Sequence, residues 1–234
     1  MIDPIFFFKG FKSIKGVGSP AIALGASFIA IGSLLKNLGF SIQESIFSTF
    51  LTYALPGSLV MAESMLISAS LINIFIAVWL VNARLYPMTV SLMPLLMHQN
   101  QPRWKYYLSC HFIAVSSWLI MKDNYEKIEK ENRIDFWIGI GTATWLVAII
   151  STIIGYFASD LLNKDMLIGL AIVNPIYFMC MMLGAMKTIQ INWSVILGTI
   201  LGPVFYFLSP EWCILFGGFV AGTIAFLYGE RNGK

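Results

Sequence analysis

Charge is what this 234-residue chain has least of. Asp, Glu, Lys and Arg together make up 12% of it, about half the ~25% of ordinary soluble domains. Set beside 58% hydrophobic residues, so few charges exclude a soluble globular domain, whose surface they could not cover. The formal charge of +3 is too small and too dispersed for a nucleic-acid partner. Cysteine is scarce too: Cys110, Cys180 and Cys213 lie far apart, each in or beside an apolar segment, with no Cys-x-x-Cys spacing. That argues against zinc and redox chemistry and leaves them as small buried hydrophobes. Two histidines, His98 and His111, poorly supply a multi-histidine metal site or a Ser-His-acid triad. The chain has no His-Glu-x-x-His helix, Walker glycine loop or Gly-x-Ser-x-Gly elbow. No catalytic residue, bound metal or cofactor is therefore expected.

What is present is long apolar sequence. Segments bounded by charges or turn residues fall at about 19–35, 45–62, 66–97, 106–121, 136–158, 166–186, 190–208 and 212–228. Most have the length of a membrane helix, and aromatics at 15% with nineteen glycines suit interface anchors and close helix contacts. The expectation is an all-α polytopic bundle of about 7–9 crossings with broken or kinked helices. It comprises a basic arm at 1–18, one transport domain at 19–228 and a tail at 229–234. Ile5 to Phe8 is too short for a signal-peptide core, so the arm reads as a cytoplasmic amphipathic lead-in.

Orientation follows the basic residues of short loops. Lys9, Lys12 and Lys15, and the loop His98 to Lys105 with Arg103, read as cytoplasmic. They agree if 19–35 and 45–62 form one hairpin and 66–97 goes out and returns. By alternation, the polar stretch Lys122 to Asp135 then lies outside.

The run from Leu66 to Met97 carries one charged side chain, Arg84. As one straight helix it would be roughly 48 Å long, against a hydrocarbon core of ~30 Å. It must tilt, extend past the lipid or break, and Asn82, Arg84 and Pro87 sit where a break would fall. Prolines recur in apolar segments at Pro56, Pro87, Pro94, Pro175 and Pro203. Each kinks or breaks a helix by removing an amide donor. Pro56-Gly57-Ser58 and Asn174-Pro175 are the strongest cases, and broken helix ends bind charged groups of substrates in transporters. Either these are packing kinks or, with Asn82 and Arg84, they mark a substrate path. Glu63 is either solvated at the cytoplasmic face or buried as a proton carrier. His111 is either a hydrogen-bonded neutral histidine or a substrate or proton contact. Lys187 reads as a snorkelling helix-end residue. Gly198 with Gly202, and Gly218 with Gly222, each share one helix face and serve internal packing or a second subunit.

The order of elements resembles the AzlC family, the large subunit of bacterial branched-chain amino acid exporters. Ala21 to Phe28 followed by Leu38-Gly39-Phe40-Ser41 is similar to its opening small-residue helix. Tyr53 to Ser58 corresponds to its Phe-Ala-Gly-Ala-like helix. Asn82, Arg84, Leu85 and Tyr86 match its Asn-x-Arg and Leu-Tyr step. Leu108 to Phe112 stands where its Leu-Thr-Asp-Glu-x-Phe-like stretch falls, and Trp145 through Gly155 resembles a later helix. The resemblance covers roughly residues 15 to 228. Two departures stand out: Ser58 or Leu59 replaces the usual glutamine, and Cys110-His111 replaces an Asp-Glu pair. The resemblance implies a permease of the bacterial inner membrane, exporting valine, leucine or isoleucine with a small AzlD-like membrane partner. The alternatives are a permease for another small solute and a non-transporting scaffold subunit.

Overall fold

The computed structural model describes residues 2–14, 20–83, 85–99, 101–161, 163–184, 189–208 and 213–232. The described residues are helical, without a strand, and fall into two units, Met1–Asn174 and Pro175–Lys234.

The first unit is built around α9 (Arg133–Ala158). Its small residues let backbones come close. Thr152 and Gly155 face Gly32 and Ile29 of α2 (Pro20–Asn37), so closely that a Cβ on either glycine would overlap the opposing carbonyl. Gly139 takes the Phe7 carbonyl of α1 (Pro4–Lys12) in the same way, and Gly10 of α1 takes that of Phe136. Within the N-terminal arm, α1 therefore packs along the start of α9. The two parallel helices α2 and α9 end together: Ser33 donates to Ser159 at 3.0 Å, and Lys36 pairs with Asp160 at 2.7 Å. Gly39, at φ +86°, stops α2 in the left-handed conformation that glycine adopts without strain.

The segment expected at 45–62 is not one helix. It is α3 (Ile42–Leu51), an extended stretch at residues 52–54, and α4 (Leu55–Leu66). A Ser41–Glu44 capping box starts α3, and Tyr156 Oη donates to Phe40 O at 3.0 Å, fixing that start beside the C-terminal end of α9. The Ser41 amide and hydroxyl both donate to the Glu44 carboxylate and hold it below its usual range. From there α3 runs back along α9, with the Thr49 and Thr152 hydroxyls 3.0 Å apart and Trp145 Nε1 donating to Phe50 O at 3.4 Å.

The segment expected at 106–121 is broken too. It comprises α7 (Arg103–Ser109), a 3-10 turn at Cys110–Phe112, extended Ile113 and Ala114, and α8 (Val115–Asn124). Both its ends lie at the N-terminal end of α9. Lys105 Nζ pairs with Asp135 Oδ1 at 2.7 Å, and the Arg133 guanidinium lies 5.3 Å over the Tyr125 ring. Gln101 Nε2 donates to Glu131 O, and the Asp3 amide to Asp135, both at 3.0 Å. Residues 98–105 and 122–135 therefore share one face with the N-terminus, which corrects the alternation that put the second loop outside. The physical reason is that 106–121 dips in and returns instead of crossing.

The run 66–97 forms α5 (Leu71–Asn82) and α6 (Leu85–Leu96), bent by 45° at the break. Arg133 Nη1 donates to Leu95 O at 3.2 Å, so α6 ends at the Asp135 face. If α5 and α6 count as one span, the run makes one passage in place of the expected exit and return. α4 is hairpinned to α5 through residues 67–70, and therefore turns back toward the face where α3 began. Both broken segments are re-entrant hairpins, one from each face. By length and composition three helices among the described residues can cross a membrane, or four if α5 and α6 count as one span. Seven to nine crossings are not reached among them.

Labelling checks this arrangement directly. In a background with the native cysteines replaced, cysteines at Gln99 and Asp123 will react with an impermeant reagent from the same side of the membrane. A cysteine at Asp160 will react from the other. Asp123 reacting together with Asp160 would overturn the α7–α8 hairpin.

α10 (Lys164–Gly184) runs through residues 174 and 175 as one helix, so of the break or kink expected at Asn174-Pro175 the break does not occur. The second unit holds α11 (Ile189–Leu208) and α12 (Cys213–Asn232), packed by Trp193 on Tyr228 and Phe205 on Phe216. Gly217 comes within van der Waals range of Gly202, whereas a Cβ on Gly198, Gly218 or Gly222 would meet nothing within 4 Å.

Candidate functional site

The two hairpin tips meet halfway along α9. Trp145 lies roughly 18 Å from Arg133 at the helical rise of 1.5 Å per residue. Its ring is 4.7 Å from Phe50, 6.2 Å from His111 and 6.3 Å from Phe112. His111 in turn lies 6.4 Å from Tyr53 in the other tip. Tyr53 and Ala114 share one buried cluster with Phe28, Ile31 and Ala148. Gly141 makes the approach possible, since a Cβ there would overlap the Phe112 ring.

Each tip ends in the start of a half-helix. α4 follows Ala54 and α8 follows Ala114, both extended, and neither alanine supplies a side-chain cap. Pro56 fits the first turn of α4, where a missing N–H costs nothing. Pro87 is likewise in the first turn of α6, whereas Pro94 lies inside α6 and Pro203 inside α11. Serines hold both unwound stretches by the same device. Ser58 Oγ donates to the Thr52 and Ala54 carbonyls at 3.3 Å. Ser117 Oγ donates to Phe112 O at 2.6 Å and accepts from the Ala114 amide at 3.1 Å. Because the hairpins enter from opposite faces, the positive N-terminal ends of α4 and α8 both point to mid-depth, where they favour negative charge.

Asn82 completes this region from α5. Its amide lies so close to Gly57 that a Cβ there would sit 2.6 Å from Asn82 Nδ2. The Asn82 Oδ1 is buried without a hydrogen-bond partner among the described residues. Tyr53, 4% exposed, also buries its hydroxyl outside bonding geometry. Its neighbour Thr144 donates to the Ile140 and Gly141 carbonyls. Leaving such groups unpaired costs about 1–3 kcal/mol each, so polar atoms concentrated here, away from either face, mark a place for a polar visitor.

The structure thus brings together Pro56, Gly57, Ser58, Asn82 and His111. Tyr86 does not join them, being 74% exposed on α6. Glu63 is exposed on α4, toward the face opposite the N-terminus and away from the two tips. Arg84, Lys187 and the Asn174 side chain lie outside the described residues. Sequence reasoning missed Tyr53, Trp145 and the Lys105–Asp135 pair. Only the position of Tyr53 three residues before Pro56 could have flagged the first.

Opposed re-entrant half-helices that expose their N-termini and orphan polar atoms at mid-depth define a membrane protein of transport type. The family comparison agrees. The family model described as AzlC protein matches residues 20–162, the stretch that contains both hairpins and all of α9. The chain belongs to the AzlC family, a membrane protein related to transport. No curated protein and no solved structure matches it.

Proposed function

We propose that the chain is the large subunit of a branched-chain amino acid exporter, moving valine, leucine or isoleucine across a bacterial inner membrane. In this reading its N-terminus is cytoplasmic and a small AzlD-like membrane subunit completes it. The observation that carries the proposal is the meeting of two half-helix starts, neither with a side-chain bond from its N-cap alanine, beside Tyr53, Asn82 and His111. A carboxylate at such helix ends gains charge-assisted hydrogen bonds in a low-dielectric setting. His111 and the orphan oxygens of Asn82 and Tyr53 supply further polar contacts for a zwitterion. A partner is supported by family membership and by α5, which buries none of its residues and exposes Leu71, Phe75 and Trp79. The open Gly218–Gly222 face of α12 offers a second docking surface.

Flux in proteoliposomes, with and without the small subunit, tests the proposal. Leucine, valine and isoleucine will be transported, and His111→Ala will lower flux about tenfold, the loss expected for one hydrogen bond to a charged group. Gly57→Ala will do the same by displacing the Asn82 amide. Arg84→Gln will lose most transport if the guanidinium binds the carboxylate, and wild-type flux in that variant removes Arg84 from the site. Transport of some other small solute in place of these three overturns the substrate assignment. Absence of any flux overturns the permease reading.

A further inference from the structure

Next to the α4 half-helix lies a cleft of about 190 Å3. It is lined by Ala30 and Leu34 of α2, Leu55 and Leu59 of α4, Leu167 of α10, and Ser27. Leu55 is the first residue of α4, so the cleft adjoins the helix end to which the preceding section assigns the carboxylate. Its walls are aliphatic apart from Ser27 and Asn37. Asn37 Oδ1 accepts from the Ser159 hydroxyl at 3.2 Å, whereas Ser27 is 1% exposed and its Oγ has no hydrogen-bond partner among the described residues. A serine in a helix ordinarily returns its hydroxyl to the carbonyl one turn earlier, as Thr144, Thr152 and Thr199 do here. Ser27 does not.

We infer that this cleft is the subsite for the substrate's aliphatic side chain, with Ser27 as a polar contact for the substrate and Ala30 and Leu59 as the residues that set side-chain size. The inference rests on the transport reading above and adds to it where selectivity resides. An apolar cavity of about 150 Å3 accepts one benzene, so 190 Å3 suits a branched aliphatic chain of a few carbons. Discrimination by one methylene in such a pocket reaches about tenfold or more. The Ser27 hydroxyl bonds to nothing among the described residues, so replacing it by a methyl group forfeits no hydrogen bond there.

The test measures flux through proteoliposomes of the chain with its small subunit, for alanine, valine, leucine, methionine and phenylalanine in competition. Leu59→Ala enlarges the cleft and will move the phenylalanine-to-valine ratio upward about tenfold. Ala30→Leu fills it and will move the leucine-to-alanine ratio downward by a similar factor. Ser27→Ala will leave the melting temperature at or above the wild-type value while lowering flux of every transported amino acid. Unchanged ratios in both size variants, with normal wild-type transport, would mean that the cleft holds lipid or nothing, and would sink the inference while the permease reading survives. No transport by the wild type removes both. A Ser27→Ala protein that melts lower and transports normally would make the residue structural and overturn its role.

Discussion

Lys105→Met will destabilise the first unit by about 3–5 kcal/mol, the usual result of removing one partner from a buried ion pair. Lys105 and Asp135 are 0% and 2% exposed at their side chains, with Nζ and Oδ1 2.7 Å apart. The pair is fully engaged: Gln101 Oε1 accepts from Lys105 at 2.8 Å, and Asp135 Oδ2 accepts from the Asp3 amide. It therefore ties α1, α7 and the start of α9 into one corner. With methionine at 105, Asp135 is left as a buried charge that, among the described residues, faces only the Asp3 backbone donor. The melting temperature in detergent should fall on the order of 10 °C. Asp135→Asn should be milder, because the amide oxygen still accepts from Lys105. The double variant Lys105→Met with Asp135→Leu should recover most of the loss, since apolar replacement of a whole buried pair is often neutral or better. A Lys105→Met protein as stable as the wild type would show that the pair is solvated in the membrane-embedded molecule.

Gly32→Ala and Gly155→Ala will each abolish a monodisperse protein. At both positions the added Cβ would overlap a backbone carbonyl, of Thr152 and Ile29 respectively, and a backbone wall cannot step aside as a side-chain tip can. Overpacking typically costs about 1–3 kcal/mol. Here the cost should exceed that range, because α2 and α9 must separate along their whole contact. Gly218→Ala and Gly222→Ala will leave the chain itself unaffected, as nothing lies within 4 Å of either added methyl. Size-exclusion profiles of the four variants check the contrast. If Gly32→Ala elutes like the wild type, the α2–α9 approach is looser than described.

Hydropathy placed the chain in the membrane, and the Pro56-Gly57 pair located one of the two breaks. The resemblance to the AzlC family is borne out by the family model's match over residues 20–162. The second break was not legible. Ile113 and Ala114 contain no proline or glycine, and the apolar pattern runs through them unchanged. Only the Lys105–Asp135 and Arg133–Tyr125 contacts reveal that the segment turns back. Hydrophobicity reports burial in lipid or protein and carries no record of which face a segment leaves by. The late Gly-x-x-x-Gly spacings drew attention away from the glycines at 32, 139 and 155. Those three have partners of a different spacing on another helix, which no local motif can display. Tyr53 and Trp145 resemble interface aromatics by composition, and their place at mid-depth follows only from the hairpins that carry them.

The order in which the chain is made gives the central position of α9 another meaning. Every element that leans on it in the first half of the molecule, from α1 through α8, leaves the ribosome before Arg133 does. The two hairpins cannot lodge as ordinary spans during insertion, since each must return to the face it entered from. Until α9 arrives, Trp145, Gly141 and Thr152 are missing, and both tips lack the surface that holds them in place. The apolar hairpins must wait, at the bilayer surface or under a chaperone's care, for a helix synthesised late. A stop codon anywhere before residue 158 should therefore yield no folded intermediate, and biogenesis should be more sensitive to delays in that stretch than to loss of the second unit.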